Sequence, residues 1–330
     1  MSPTPVFSII IPLHNKGQYV AETLASVQAQ TFTDWEIIVI ENHSTDNGPA
    51  LVELTAADDS CIRLLRAPDS VRGPSAARNL GLTEAQGKWI LFLDADDLVN
   101  SRYLEKMYLR QSVTPEADIV ASPWVEFRDG EPPLEGVVKY PAGYLNNGLS
   151  AEAFGIAFTC WAVHAAIIRR SWLTERIWPE ELDGYLAEDT AFWFRVVCGA
   201  KIAYSDFPGA LYRTHTENCR TNYSARTWYE GTHRAALCNL EYLKTQCQSP
   251  SSAQLETLLR HYESLYEMAF REGEQEVAEL ALEFAKHWLS TLASSQFIGF
   301  GTMSLRHLLG IPSFCKLRSL ILTLRGNQIV

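Results

Sequence analysis

Short apolar runs alternating with amphipathic stretches over the first hundred residues constrain the fold most. Val6–Leu13 (VFSIIIPL) is too short for a helix and rich in β-branched residues, and Trp35–Ile40 (WEIIVI), Ile62–Leu65 and Trp89–Leu93 (WILFL) read as further strands. Between them, Tyr19–Ala29 places Val20, Leu24 and Val27 on one helical face. Gly73, Pro74 and Ser75 open a helix that runs to about Ala85, with Pro74 tolerated in its first turn. Strands that are apolar on both faces, separated by helices, build a mainly parallel sheet covered on both sides. The expected fold class is α/β, and in such sheets ligands bind beyond the carboxyl ends of the strands. Polar turns follow three of these strands: IIIPLHN after the first, IIVIENHSTD after the second and LFLDADD after the fourth.

From Ser112 to Gly148 the pattern loosens into turns and short strands such as Asp118–Ser122. Ala165–Ile168 reads as a further strand, and Ala187–Cys198 (AEDTAFWFRVVC) as a helix with acids in its first turn, where the macrodipole favours them. Beyond about Ala225 the chain becomes helix-rich, and Tyr229–Leu292 has no strand signal.

A net charge of −11 argues against a nucleic-acid partner, because phosphate backbones require basic surface. Seven scattered cysteines without a C-x-x-C pair read as reduced thiols of a cytosolic protein. The start, MSPTPVFSIII, lacks the basic and long apolar segments of a signal peptide, and no apolar run is long enough to span a membrane.

LFLDADD carries Asp94, Asp96 and Asp97 with no cation beside them in sequence. Like charges so close must be solvated or paired. Mg²⁺ and Mn²⁺ prefer oxygen ligands, and Mg²⁺ is usually held by one or two carboxylates together with substrate phosphates. A D-x-D turn at a sheet edge offers such a partial shell. The plainer alternative is an acidic loop whose carboxylates cap the helix starting near Ser101.

SIIIPLHN (8–15), IIVIENHSTD (37–46), GPSAARNLGL (73–82), GKWILFLDADD (87–97) and AEDTAFWFRV (187–196) stand in an order and spacing that resemble a family 2 glycosyltransferase. The resemblance spans about residues 6–215 and implies a GT-A fold: a mainly parallel sheet flanked by helices with a Rossmann-like nucleotide-binding half. With the helix-rich pattern that follows outside the resemblance, the chain is expected to divide into a domain over 1–225, whose nucleotide-sugar-binding half is 1–100 and acceptor half 101–225, and a helical C-terminal region over 226–330. The resemblance further implies a metal-dependent, inverting transfer from a nucleotide-diphosphate sugar to a hydroxyl of a glycan or lipid-linked saccharide.

Carried over residue by residue, Asp96 becomes the direct ligand of a divalent cation, Mn²⁺ or Mg²⁺. Asp94 contacts the ribose or the metal's water shell, and Pro12, His14 and Asn15 pass the nucleotide. His14 reads equally well as a buried, satisfied histidine. The family usually shows two adjacent acids where this chain has Glu41 and Asn42, the second reading the uracil imide. An amide oxygen on Asn42 can still accept that N–H, so a UDP-sugar stays the favoured donor. Arg78 is suited to the base or a phosphate, or is a plain surface residue. Asp189 maps to the catalytic base that takes the acceptor hydroxyl's proton. Tyr212, Arg213, Thr214 and His215 resemble a stretch following the last core strand, in which His215 or Arg213 approaches diphosphate or metal; a structural role is the plainer reading.

Trp161, Trp178 and Trp193 fall in the acceptor half, and one of them is expected to line the site. The stretch 313–326 (SFCKLRSLILTLRG) reads either as an ordinary packed helix or as a basic amphipathic helix on the inner face of the membrane. The helices before it can pack on the catalytic domain or form a homodimer contact. A sugar-1-phosphate nucleotidyltransferase is the rival enzyme, disfavoured because Ile11–Asn15 contains no glycine. A glycan-binding or scaffold protein that lost activity is the rival outside catalysis.

Overall fold

The computed structural model describes residues 4–144, 149–214, 223–294, 306 and 309–316. The chain divides into two compact units, one of residues 1–155 and 159–222, the other of 156–158 and 223–330.

The first unit is built on a seven-stranded sheet. Its central strands are β1 (Phe7–Leu13), β2 (Trp35–Glu41), β3 (Ile62–Arg66) and β4 (Trp89–Phe92), all parallel, with β1 between β4 and β2. The apolar runs buried on both faces are these strands: Ile9, Ile10, Ile11, Ile37, Ile38, Val39, Ile40, Ile90 and Leu91 are fully buried. Helices α1 (Val20–Gln28), α2 (Gly48–Asp58) and α3 (Pro74–Glu84) connect them. The strand β5 (Leu98–Val99) and helix α4 (Tyr103–Val113) follow. On the other side of β4 the sheet continues through β9 (Ala166–Arg169), β6 (Ile119–Ala121) and β10 (Ile202–Tyr204), with β9 antiparallel to both neighbours.

A second sheet of four strands was not visible in the sequence pattern. It orders β5, β11 (Ala210–Thr214), β7 (Trp124–Arg128) and β8 (Val137–Lys139). Tyr212, Arg213 and Thr214 thus lie within a strand rather than after one. Helices α5 (Ala151–Gly155) and α6 (Glu188–Val197) complete this unit.

The second unit holds helices α7 (Ala225–Thr245), α8 (Ser252–Glu272) and α9 (Gln275–Ser294). Their ends follow local capping chemistry. The Ser224 hydroxyl accepts from Thr227 N, Ser251 and Gln254 form a reciprocal capping box, and Gly273 ends α8 in the left-handed region at φ 77°. No helix among the described residues is long and apolar enough to cross a membrane. Of the 313–326 segment, Phe314 and Cys315 are buried, while Arg318 and Arg325 lie outside the described residues.

Candidate active site

The turn after β4 is rigidly held, and its clamps come from distant chain segments. Asp97 N donates to Asp94 O at 3.1 Å, Thr23 Oγ1 to Ala95 O at 2.9 Å, and Arg213 Nε to Asp96 O at 2.8 Å. Each carbonyl of the D-A-D turn therefore has a donor. Arg213 is itself fixed, with Nη1 2.7 Å from Asp129 and Nη2 2.6 Å from Glu22, its guanidinium packed against Phe127 and Tyr19. The guanidinium thus shapes the turn from behind.

The three aspartates have separate fates. Asp97 is buried; its Oδ1 accepts Arg213 N at 2.8 Å and its Oδ2 lies 3.2 Å from Nδ1 of the fully buried His164. Burial, reinforced by the charges of Asp96 and Asp94, pushes the Asp97 carboxyl well above the usual range. Burial likewise lowers His164 to about 4, so this imidazole is neutral. Asp97 is therefore part of the turn's framework. Asp94 and Asp96 remain partly exposed, at 29% and 16% of their side chains.

Although no cation stands beside these acids in sequence, two protein cations face them in space. Arg78 Nη2 lies 2.5 Å from Asp94 Oδ1, and Lys16 Nζ 2.5 Å from Asp96 Oδ2. Neither cation is near the triplet in sequence, and only the parallel sheet brings the turns after β1 and β4 and helix α3 together. The helix-capping alternative is excluded, since the first amides of α4, Tyr103 N and Leu104 N, donate to Asn100 O and Gln30 Oε1 instead.

Arg78 is a buried residue of α3, 3% exposed, rather than a surface one. Its guanidinium lies 4.2 Å from the Trp178 ring, which stacks on Phe192 at 3.9 Å. Its Nη1 stands 4.0 Å from Glu188 Oε1, while Nε and Nη1 have no hydrogen-bond partner. Arg78 thus joins the D-x-D turn to the first turn of α6, where Asp189 is half-buried and accepts Thr190 N at 2.8 Å. The helix begins after Ala187 at φ 71°, a conformation that L-residues other than Asn and Asp rarely adopt. Asn15 (φ 52°) and His43 (φ 60°) share this feature in the turns after β1 and β2. Such backbone strain concentrates at functional sites.

Those two turns are stitched together. Asn15 Oδ1 accepts Thr45 N at 2.8 Å, and Asp46 accepts both Gly17 N and Gly48 N. His14 is exposed, not buried; its Nδ1–H donates to Asn42 O at 2.7 Å and its Nε2 accepts from Asn15 Nδ2. Pro12 is half-buried within β1, opposite Ile40. Glu41 faces inward, accepting Ser44 N at 2.5 Å with Arg66 at 3.8 Å.

Asn42 departs from the family's acid for a visible reason. Its Nδ2 donates to Gly73 O at 2.8 Å, a bond that a carboxylate cannot make, while its buried Oδ1 has no partner. Gly73 has φ 89°, and a Cβ there would come within 2.5 Å of the Asp183 carboxyl. That carboxyl accepts Ser75 N and Ala76 N at the start of α3. Asp183, Lys16 and Thr23 escaped sequence reasoning because each acts on a partner far along the chain; Lys16 directly follows His14 and Asn15 and had only its position to mark it.

The three tryptophans expected to offer one ring to the site are all core, at 1% exposure or less. Trp178 serves the site only by backing Arg78. His215 lies outside the described residues.

Among the described residues no group of three or more His, Cys, Asp or Glu is arranged to hold a metal alone. Two partly exposed carboxylates on a fixed turn nonetheless fit a hard divalent cation whose other ligands are diphosphate oxygens and water.

Residues 8–173, half of the chain, match Glycosyl transferase family 2. The chain belongs to this family. Glycosyltransferase GlyG of Streptococcus pneumoniae serotype 4 is 28% identical over 126 residues, 38% of this chain and 41% of GlyG. The match thus spans about two-fifths of that relative's length. Staphylococcus aureus TarS 1–349 superposes with a TM-score of 0.65 at 20% identity, covering 98% of this chain and 93% of that one. Pyrobaculum calidifontis mannosyltransferase PcManGT, solved with GDP-Man and Mn²⁺, gives 0.54 at 17% identity, covering 94% and 80%. These likenesses show the GT-A fold.

Proposed function

We propose that this family 2 protein is a metal-dependent, inverting glycosyltransferase that moves a sugar from a nucleotide-diphosphate donor, UDP-linked by preference, to a hydroxyl of a glycan or lipid-linked saccharide. The observation that carries the reading is Arg78, which joins Asp94 and Glu188 and so brings the D-x-D turn and the α6 acids into one site. TarS has also been solved with UDP-GlcNAc, which supports a uridine donor.

In this reading Asp96, with Asp94, would hold a divalent cation, Mn²⁺ or Mg²⁺, which would supply positive charge against the diphosphate. Asn42 Oδ1, a buried amide oxygen without a protein donor, would accept the imide N–H of the base. Arg78 directs its unused N–H groups to the donor. Asp189 takes the acceptor hydroxyl's proton as the oxygen attacks the anomeric carbon. Attack from the face opposite the diphosphate inverts the configuration. The segment 1–225 would carry this chemistry.

A thermal-shift panel of UDP-, GDP- and ADP-sugars with and without Mn²⁺ tests the donor, since a ligand bound only by the folded state raises its melting temperature by mass action. UDP-sugars should give the largest shift, and only with metal. Transfer to a saccharide acceptor is then followed in Asp96→Ala and Asp189→Asn, and robust activity in both would overturn the assignment.

A further inference from the structure

The two cations on the D-x-D turn differ in their freedom to leave. Arg78 is 3% exposed and backed by the Trp178 ring at 4.2 Å, so its guanidinium is fixed. Lys16 has 37% of its side chain exposed and ends a flexible four-carbon stem. Its backbone is held by neighbours: Lys16 O accepts from Tyr19 N and Val20 N at 2.9 Å each, and Gly17 N donates to Asp46 at 2.7 Å. The ammonium can therefore swing while the loop stays in place. At 2.5 Å from Oδ2 it pairs with the carboxylate that a divalent cation on Asp96 would use. Two cations on one carboxylate repel each other, so the ammonium opposes binding of the divalent cation.

We propose that Lys16 is the resident counter-ion of Asp96, surrendering that carboxylate to the divalent cation when a nucleoside diphosphate arrives to take the ammonium instead. The inference rests on the reading of Asp96 as a metal ligand. Without nucleotide, metal must displace Lys16 into water. With nucleotide, the ammonium exchanges one anion for another, so metal and nucleotide strengthen each other's binding. By linkage the coupling is reciprocal.

Isothermal titration of the full chain with Mn²⁺, with and without UDP, tests this in wild type, Lys16→Met and Asp96→Asn. Because Lys16 is on the surface, the methionine variant should keep the wild-type melting temperature. Without UDP, Lys16→Met should bind Mn²⁺ about fivefold more tightly, the upper range for releasing a partly exposed ion pair. The gain in Mn²⁺ affinity on adding UDP should shrink by a similar factor. If Lys16→Met leaves both the affinity and the UDP gain unchanged while Asp96→Asn removes binding, the counter-ion role fails and the metal assignment stands. If Asp96→Asn binds Mn²⁺ like wild type, the metal assignment itself fails, and the inference with it.

Discussion

Asn42 is held by one end of its amide: Nδ2 donates to the Gly73 carbonyl, and the buried Oδ1 has no hydrogen-bond partner. Asn42→Asp would restore the family's usual acid yet set a carboxylate against a carbonyl oxygen. We expect a loss of about 1–3 kcal/mol in urea unfolding, the scale of a buried acceptor left without its donor. Asp189→Asn should instead leave stability nearly unchanged, because its amide oxygen can still accept Thr190 N. It should lower kcat about 10²- to 10⁴-fold in steady-state transfer assays. Comparing these two variants separates framework from chemistry. At this scale His14, Asn15, Glu41, Asn42, Asp94, Asp96 and Asp189 are singled out through the family resemblance, whose motifs sit at strand ends and at a helix start. What each one bonds could not be read in this way, since the partners of Asn42 and Asp96 are 31 and 80 residues away.

Elements show a similar division. The central strands were legible almost to the residue, because buried parallel strands are near-continuous apolar runs. The second sheet was not, since β5 has only two residues and β7 and β8 expose Val137, Val138 and Trp124 to differing degrees, blurring the alternation. Yet β11 of that sheet presents Arg213, which holds Asp96 O and the Asp97 carboxyl. Arg213→Met should cost about 2 kcal/mol in chemical denaturation, chiefly from the orphaned Asp96 carbonyl and the half-buried Asp129; Glu22, 56% exposed, adds little. The same variant should shrink the melting-temperature rise produced by UDP with Mn²⁺, because a loosened turn must be ordered on binding.

For the whole molecule, the helical unit carries ionisable groups that no local pattern announces. Glu263 and Arg306 form a two-point ion pair, at 2.7 and 3.0 Å, with 0% and 3% side-chain exposure. Arg306→Met should cost about 3–5 kcal/mol by urea unfolding, since it takes the two-point cationic partner from a buried carboxylate. His261 is fully buried against Phe158 and Tyr262, and burial lowers it from 6.5 to about 3. The folded state keeps it neutral while the unfolded chain protonates it below about 6.5, so its contribution falls as pH drops from about 6.5 towards about 3. That loss approaches about 1.4 kcal/mol per pH unit. His164 acts in the same direction down to about 4, whereas Asp97, with its raised carboxyl, acts oppositely as pH rises. Urea midpoints measured from about pH 7 to about pH 5 should fall less steeply in His261→Leu than in wild type.

Sequence alone determined the strand–turn–helix rhythm, the carboxyl edge where the polar turns gather, the acids those turns carry and the helical character beyond Ala225. Each of these follows from periodicity and capping, which act over a few neighbouring residues. The tertiary structure decided that Lys16 and Arg78 neutralise the D-x-D carboxylates, that Trp178 is a backing wall instead of a sugar platform, and that Arg213 sets the turn. Charge pairing and burial act through space, and a parallel sheet makes neighbours of turns that the chain separates by tens of residues.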